Sequence, residues 1–138
     1  MRLIVPAGAS LALLLSCLPT DICGCSPIPP AVMVLTTVRD AAGGLVAGAV
    51  VTVKGTMSSA VDVCDPLVLG QPLAKSTTLA DGTTRERISS SGDREHCIRV
   101  IAQMPPPSSL KPDTVARANV AFRSADPLDT VRVDLVLR

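Results

Sequence analysis

The residues best equipped for chemistry lie between Ser89 and Cys97 of this 138-residue chain, Ser-Ser-Ser-Gly-Asp-Arg-Glu-His-Cys. His96 is the single histidine, and imidazole is the commonest general base because it titrates near neutral pH. Ser89, Ser90 or Ser91 would supply a nucleophilic hydroxyl and Asp93 a carboxylate to orient the ring, the roles of a hydrolytic triad. A triad is defined by geometry, and no Gly-x-Ser-x-Gly elbow accompanies these residues. The simpler expectation is a solvated loop histidine among polar neighbours. A metal constellation would combine Cys23-Gly24-Cys25 with His96-Cys97, but Cys-x-Cys lacks the two-to-four-residue spacer usual in zinc sites. The sequence thus predicts no catalytic residue, no metal and no cofactor, and it leaves any ligand unspecified.

The five cysteines carry a different message. Met1-Arg2 followed by the apolar run Leu3 to Leu15 has the layout of a secretory signal, too short for a membrane-spanning helix. Leu14-Leu15-Ser16-Cys17 resembles the lipobox of bacterial lipoproteins, in which the signal is cut before the cysteine and its thiol takes a diacylglycerol. That implies a signal over 1–16 and lipidation at Cys17. Ile22-Cys23-Gly24-Cys25 is a second, poorer lipobox, with Pro19 and Asp21 interrupting the run before it. The alternative is a plain secretory signal cut between Cys17 and Cys23. Exported chains tend to keep an even number of thiols. Lipidation at Cys17 leaves four cysteines and lipidation at Cys25 leaves two, so parity holds for either. Cys64 and Cys97 are the expected disulfide. It would close a loop of 33 residues and stabilise by about 3–4 kcal/mol on the chain-entropy model. Residues 17–30, with Ser26-Pro27-Ile28-Pro29-Pro30, read as a stiff tether.

Composition narrows the function classes. Hydrophobic residues make up 47% of the chain, yet Phe122 is the only Phe, Tyr or Trp. Platforms for stacking bases or sugars are therefore missing. Thirteen basic and 12 acidic residues give a net charge of +1, and cleavage after residue 16 would remove Arg2. The charges are scattered singly along the chain. A nucleic-acid partner is not expected, since phosphate binding needs a clustered excess of Lys and Arg.

The elements that would position these residues read as strands. Ala31 to Arg39 is rich in Val, Leu and Thr, and is followed by a turn over Asp40–Gly44. A second strand begins near Ala49 and stops at Gly55. Residues 56–71 are weakly patterned, with a possible short strand at Pro66–Leu69. Lys75–Leu79 and Thr83–Ile88 flank Ala80-Asp81-Gly82, a strong short-range hairpin signal. Cys97–Gln103 should turn Ile98, Val100 and Ala102 inward, and Met104-Pro105-Pro106-Pro107 ends it. Ala116–Arg123 alternates Ala118, Val120 and Phe122 with polar neighbours. In Thr130–Leu137, Val131, Val133, Leu135 and Leu137 share one face. No segment after the signal shows helical periodicity. The pattern predicts an all-β, antiparallel seven-stranded sandwich over residues 31–138.

Two pieces of this pattern resemble carboxypeptidase regulatory-like domains. Val38-Arg39-Asp40-Ala41 through Gly44-Leu45-Val46-Ala47-Gly48-Ala49-Val50-Val51 is similar to their opening strand, turn and strand. Thr78-Leu79-Ala80-Asp81-Gly82-Thr83-Thr84 looks like their Thr-x-x-Asp-Gly hairpin, without the aromatic residue that normally follows. The resemblance covers about Val34 to Gln103. It implies a transthyretin-like (prealbumin-like) fold and, for most members, a non-catalytic module on exported proteins. Hydroxyisourate hydrolases share that fold but depend on several histidines and a C-terminal Tyr-Arg-Gly-Ser. This chain has one histidine and ends Leu135-Val136-Leu137-Arg138. The expected protein is thus a non-catalytic structural or binding module of the bacterial cell envelope. It would be anchored to the membrane through the lipid on Cys17, with its envelope protein or polysaccharide partner unspecified. The alternative expectation is a soluble secreted or periplasmic small-ligand-binding protein or hydrolase using the Ser89–His96 loop.

Overall fold

The structure is a computed structural model and describes residues 28–55, 64, 70–90, 94–124 and 127–138. Signal, Cys17, Cys23, Cys25, Ser91, Asp93 and the suggested Pro66–Leu69 strand lie outside the described residues. Seven strands follow one another without a helix among the described residues: β1 Ala31–Asp40, β2 Val50–Gly55, β3 Gln71–Thr77, β4 Thr83–Ser89, β5 Arg94–Gln103, β6 Asp113–Phe122 and β7 Thr130–Leu137. They form a three-stranded sheet ordered β4-β1-β7 and a four-stranded sheet ordered β3-β2-β5-β6. The all-β expectation holds at that level.

Alternation decides which face of each strand is buried. Val32, Val34 and Val38 of β1, Ile88 of β4, and Val133, Leu135 and Leu137 of β7 turn one way. Val51 and Val53 of β2, Ile98, Val100 and Ala102 of β5, and Val120 and Phe122 of β6 meet them in one hydrophobic cluster. The core is built from branched aliphatic side chains, each worth roughly 1.5–3 kcal/mol when fully buried.

Three expectations are corrected by the pairing. The fold is not purely antiparallel, because β7 runs parallel to β1, with Met33 opposite Thr130 and Val38 opposite Leu135. The segment around Asp81-Gly82 is no hairpin: β3 pairs with β2 while β4 pairs with β1, in the other sheet. The strands before and after Asp40–Gly44 separate in the same way. Both turns have the predicted local chemistry but carry the chain between sheets. Asp40 accepts hydrogen bonds from the Ala42 and Gly44 amides at 2.9 and 2.8 Å. Asp81 accepts from the Thr83 amide and hydroxyl at 3.0 and 2.7 Å, and these donors hold its carboxyl below the ordinary value. The Thr78 hydroxyl ties the two turns together. It accepts from the Ala49 amide at 2.9 Å and donates to the Val46 carbonyl at 2.7 Å.

The third correction concerns β6. Ala118 is exposed, although alternation with Val120 and Phe122 put it inside. His96 pairs with Val120 but Ile98 pairs with Arg117, so Ala118 and Asn119 together face Cys97. This bulge inverts the parity of the strand. Asn119 takes the left-handed conformation it requires, at φ 55°, a region where Asn is enriched among non-glycine residues.

Candidate functional site

The ladder of the larger sheet breaks twice near one end. One break is the β6 bulge; the other is in β3, where Val53 pairs with Ala74 but Lys54 pairs with Pro72, leaving Leu73 as the extra residue. Between these bulges a cleft is lined by Gly55, Leu73, Ser89, Ser90, His96, Ile98 and Phe122. It is open to solvent, its space of about 230 Å³ including that open part, and its enclosed part has room for about one water. Leu73 limits it: a Cβ on Gly55 would sit 2.5 Å from Leu73 Cδ1. Glycine at position 55 is what lets the Leu73 side chain lie against β2.

His96 is placed by β5, not by a loop. It shares the inward parity of Ile98, so the expected solvated loop histidine is corrected to a half-buried residue at the rim of the core. Its ring meets Phe122 edge to face, with centroids 5.1 Å apart and planes at 84°, a favourable arrangement for two aromatic quadrupoles. The two residues sit diagonally on neighbouring strands, since His96 pairs with Val120. Ser90 Oγ lies 3.3 Å from His96 Nε2. Ser90 is itself fixed by its amide, which donates to the Pro30 carbonyl at 2.8 Å. Of the serines considered as nucleophiles, Ser90 therefore reaches His96, and Ser89 lines the same cleft. Phe122, Leu73 and Gly55 escaped the sequence reading as site residues, since only strand pairing brings them to the serine segment.

Cys64 and Cys97 are joined in a disulfide with Cα atoms 5.5 Å apart, inside the usual range. Cys97 alternates with His96 and Ile98 on β5, so the bond holds Cys64 on the far side of that strand from the cleft.

As it stands the cleft takes about one water, between apolar walls and two convergent polar groups, Ser90 and His96. Among the described residues no three His, Cys, Asp or Glu side chains are grouped to hold an ion. His96 is the only imidazole, the chain has no tyrosine, and Cys97 is committed to the disulfide.

No protein-family model and no curated protein matches the chain. Among solved structures, it is similar to the dioxygenase domain of a dioxygenase carbohydrate-binding protein fusion from Streptomyces sp. SirexAA-E. There the TM-score is 0.51 and identity 20%, over 82% of each chain. It is also similar to chlorocatechol 1,2-dioxygenase from Pseudomonas putida, with TM-score 0.55 and 13% identity over 81% of this chain and 61% of that one. A third similarity is to 3-chlorocatechol 1,2-dioxygenase from Rhodococcus opacus 1CP, with TM-score 0.53 and 10% identity over 79% and 60%. The chain thus spans about three-fifths of the length of the two chlorocatechol dioxygenases. At these identities the likeness shows the fold alone. The expectation of a non-catalytic structural or binding module is corrected by these three neighbours, one a dioxygenase domain and two chlorocatechol dioxygenases.

Proposed function

We propose that this domain binds a small hydroxylated aromatic molecule in the cleft between its two bulges. The observation that carries the proposal is the convergence of Ser90, His96 and Phe122 on one solvent-open space walled by Leu73 and Ile98. A flat ring would lie against Phe122 and the aliphatic walls, gaining apolar burial. Its hydroxyl would exchange hydrogen bonds with Ser90 Oγ and His96 Nε2, groups able both to donate and to accept. A ring enters only with Leu73, the extra residue of an edge strand, displaced. Support for the ligand class comes from the fold neighbours, two of which are named for chlorocatechol.

The finer architecture belongs to the same proposal: a prealbumin-like sandwich related to carboxypeptidase regulatory-like domains. So does export, with a signal over 1–16 and lipid on Cys17. The described chain enters at the cleft end, where Ser124 Oγ donates to the Ile28 carbonyl at 3.0 Å. A lipid on Cys17 would therefore hold the cleft end toward the membrane.

Calorimetric titration with catechol tests the ligand assignment. Wild type is expected to bind, and Ser90→Ala to bind about five- to tenfold more weakly, the worth of one lost hydrogen bond. Gly55→Ala should weaken binding too, by pressing Leu73 into the cleft. Equal binding by all three proteins would place the ligand elsewhere.

A further inference from the structure

Outside the cleft, strand register gathers cations that the sequence spreads over 48 positions. On the outer face of the β4-β1-β7 sheet, Leu35 stands between Arg85 of β4 and Arg132 of β7. In the next row Met33 stands between Arg87 and Thr130. Neighbouring strands lie about 4.8 Å apart and alternate residues about 6.8 Å apart. The three arginine Cα atoms thus fall within roughly 12 Å of one another. All three side chains are exposed, and none pairs with a carboxylate among the described residues. Neither row holds an acid; Asp134, paired with Thr37, stands on the row next to that of Leu35. Between the guanidinium groups Met33 and Leu35 form a half-buried apolar floor.

We propose that this face docks an acidic, extended segment of a partner protein. Charge complementarity fixes the sign of the partner, because three unpaired guanidinium groups on a nearly neutral chain repel one another until carboxylates reach them. Guanidinium forks bind carboxylates through two parallel hydrogen bonds. The apolar floor selects a polypeptide: an alternating acidic and aliphatic strand would set carboxylates on the arginines and side chains on Met33 and Leu35. Met and Arg are the residue types enriched in protein interfaces. A nucleic acid would find no exposed aromatic ring to stack on, since Phe122 is buried on the opposite side of the fold's core.

The test titrates the full chain with four probes: a short synthetic peptide alternating Glu and Leu, its Gln-for-Glu counterpart, duplex DNA, and vesicles containing an anionic phospholipid. The acidic peptide should bind, with affinity falling as salt rises. Arg85→Gln/Arg87→Gln/Arg132→Gln should lose at least about tenfold in affinity while its circular dichroism and melting temperature stay those of wild type. Met33→Ser should lose less. Equal binding of the Gln peptide, undiminished binding by the triple variant, or tighter binding of DNA or vesicles than of the acidic peptide would overturn the proposal.

Discussion

The two ends of the molecule, about 30 Å apart along β1, solve chain reversal in opposite ways. At one end the turns around Asp40–Gly48 and Thr78–Gly82 are held by side-chain-to-backbone hydrogen bonds, within each turn at Asp40 and Asp81 and between the turns at Thr78. Asp40, Asp81 and Thr78 each make two. Glycines take the left-handed positions there, with φ 88° at Gly43, 77° at Gly48 and 67° at Gly82. At the other end two bulges interrupt the larger sheet, and the serine, histidine and phenylalanine side chains face a space instead of each other's backbone. The closed end is specified residue by residue. The open end depends on contacts between distant strands, and that is where a ligand finds room.

The largest expected effect lies at the open end. Cys97→Ser, paired with Cys64→Ser to avoid a lone thiol, should cost about 3–4 kcal/mol in urea unfolding, the loop-closure entropy of the lost cross-link. A loss under 1 kcal/mol, on the order of a surface substitution, would mean that the 56–70 connection is held without the bond. The closed end should be nearly as sensitive at one residue. A Cβ on Gly82 would lie 2.9 Å from the Val38 carbonyl oxygen and 3.1 Å from the Val46 nitrogen. The Gly82 carbonyl also accepts from the Val38 amide at 2.8 Å, so the turn cannot retreat. Gly82→Ala is expected to cost about 2–4 kcal/mol, strain plus clash. Gly48→Ala is the control, since a Cβ there meets nothing within 4 Å and only the positive φ remains to cost about 1 kcal/mol. Equal losses for the two would show that strain alone, not the close approach to β1, sets the price of a side chain at the closed end.

Much of the closed end was legible in the sequence. Asp40, Gly43-Gly44 and Asp81-Gly82 announce their turns because turn chemistry is local. The burial of β5 and β7 follows from alternation alone. What could not be read is which strands pair. Asp81-Gly82 marks a turn, and nothing local in it says whether the next strand pairs with the previous one or crosses to another sheet. The parallel β1–β7 pair joins residues nearly a hundred positions apart, beyond any local signal. The site suffered most from this. His96 and the serines 89–91 were visible as one polar segment, but which serine meets His96 was not. Phe122 reaches them only through the β5–β6 register, and the β6 bulge left just Asn119 as a faint cue. The arginine face is likewise a product of register, invisible as long as its members are read singly.

Between the two ends lies a smaller and opposite effect. Thr36 and Thr84 are paired across β1 and β4, both buried, and neither hydroxyl has a hydrogen-bond partner among the described residues. An unsatisfied buried hydroxyl costs about 1–3 kcal/mol. Thr36→Val and Thr84→Val keep shape and branching while removing it, so each should raise the thermal midpoint, with a gain of about 1 kcal/mol. A lowered midpoint would show that the pair is satisfied by an internal water, making the middle of the fold more like the open end than the closed one.

The ligand assignment has a direct readout built into the composition. Phe122 and His96 are the only aromatic rings among the side chains of the whole chain, and both line the cleft. In fully exchanged D2O, the carbon-bound aromatic protons of the protein therefore report this site and nothing else. Titration with ring-deuterated catechol is expected to shift both sets of resonances along one saturating curve, with the Ser90→Ala variant saturating at higher concentration. Unmoved His96 and Phe122 signals at saturating catechol would contradict the account.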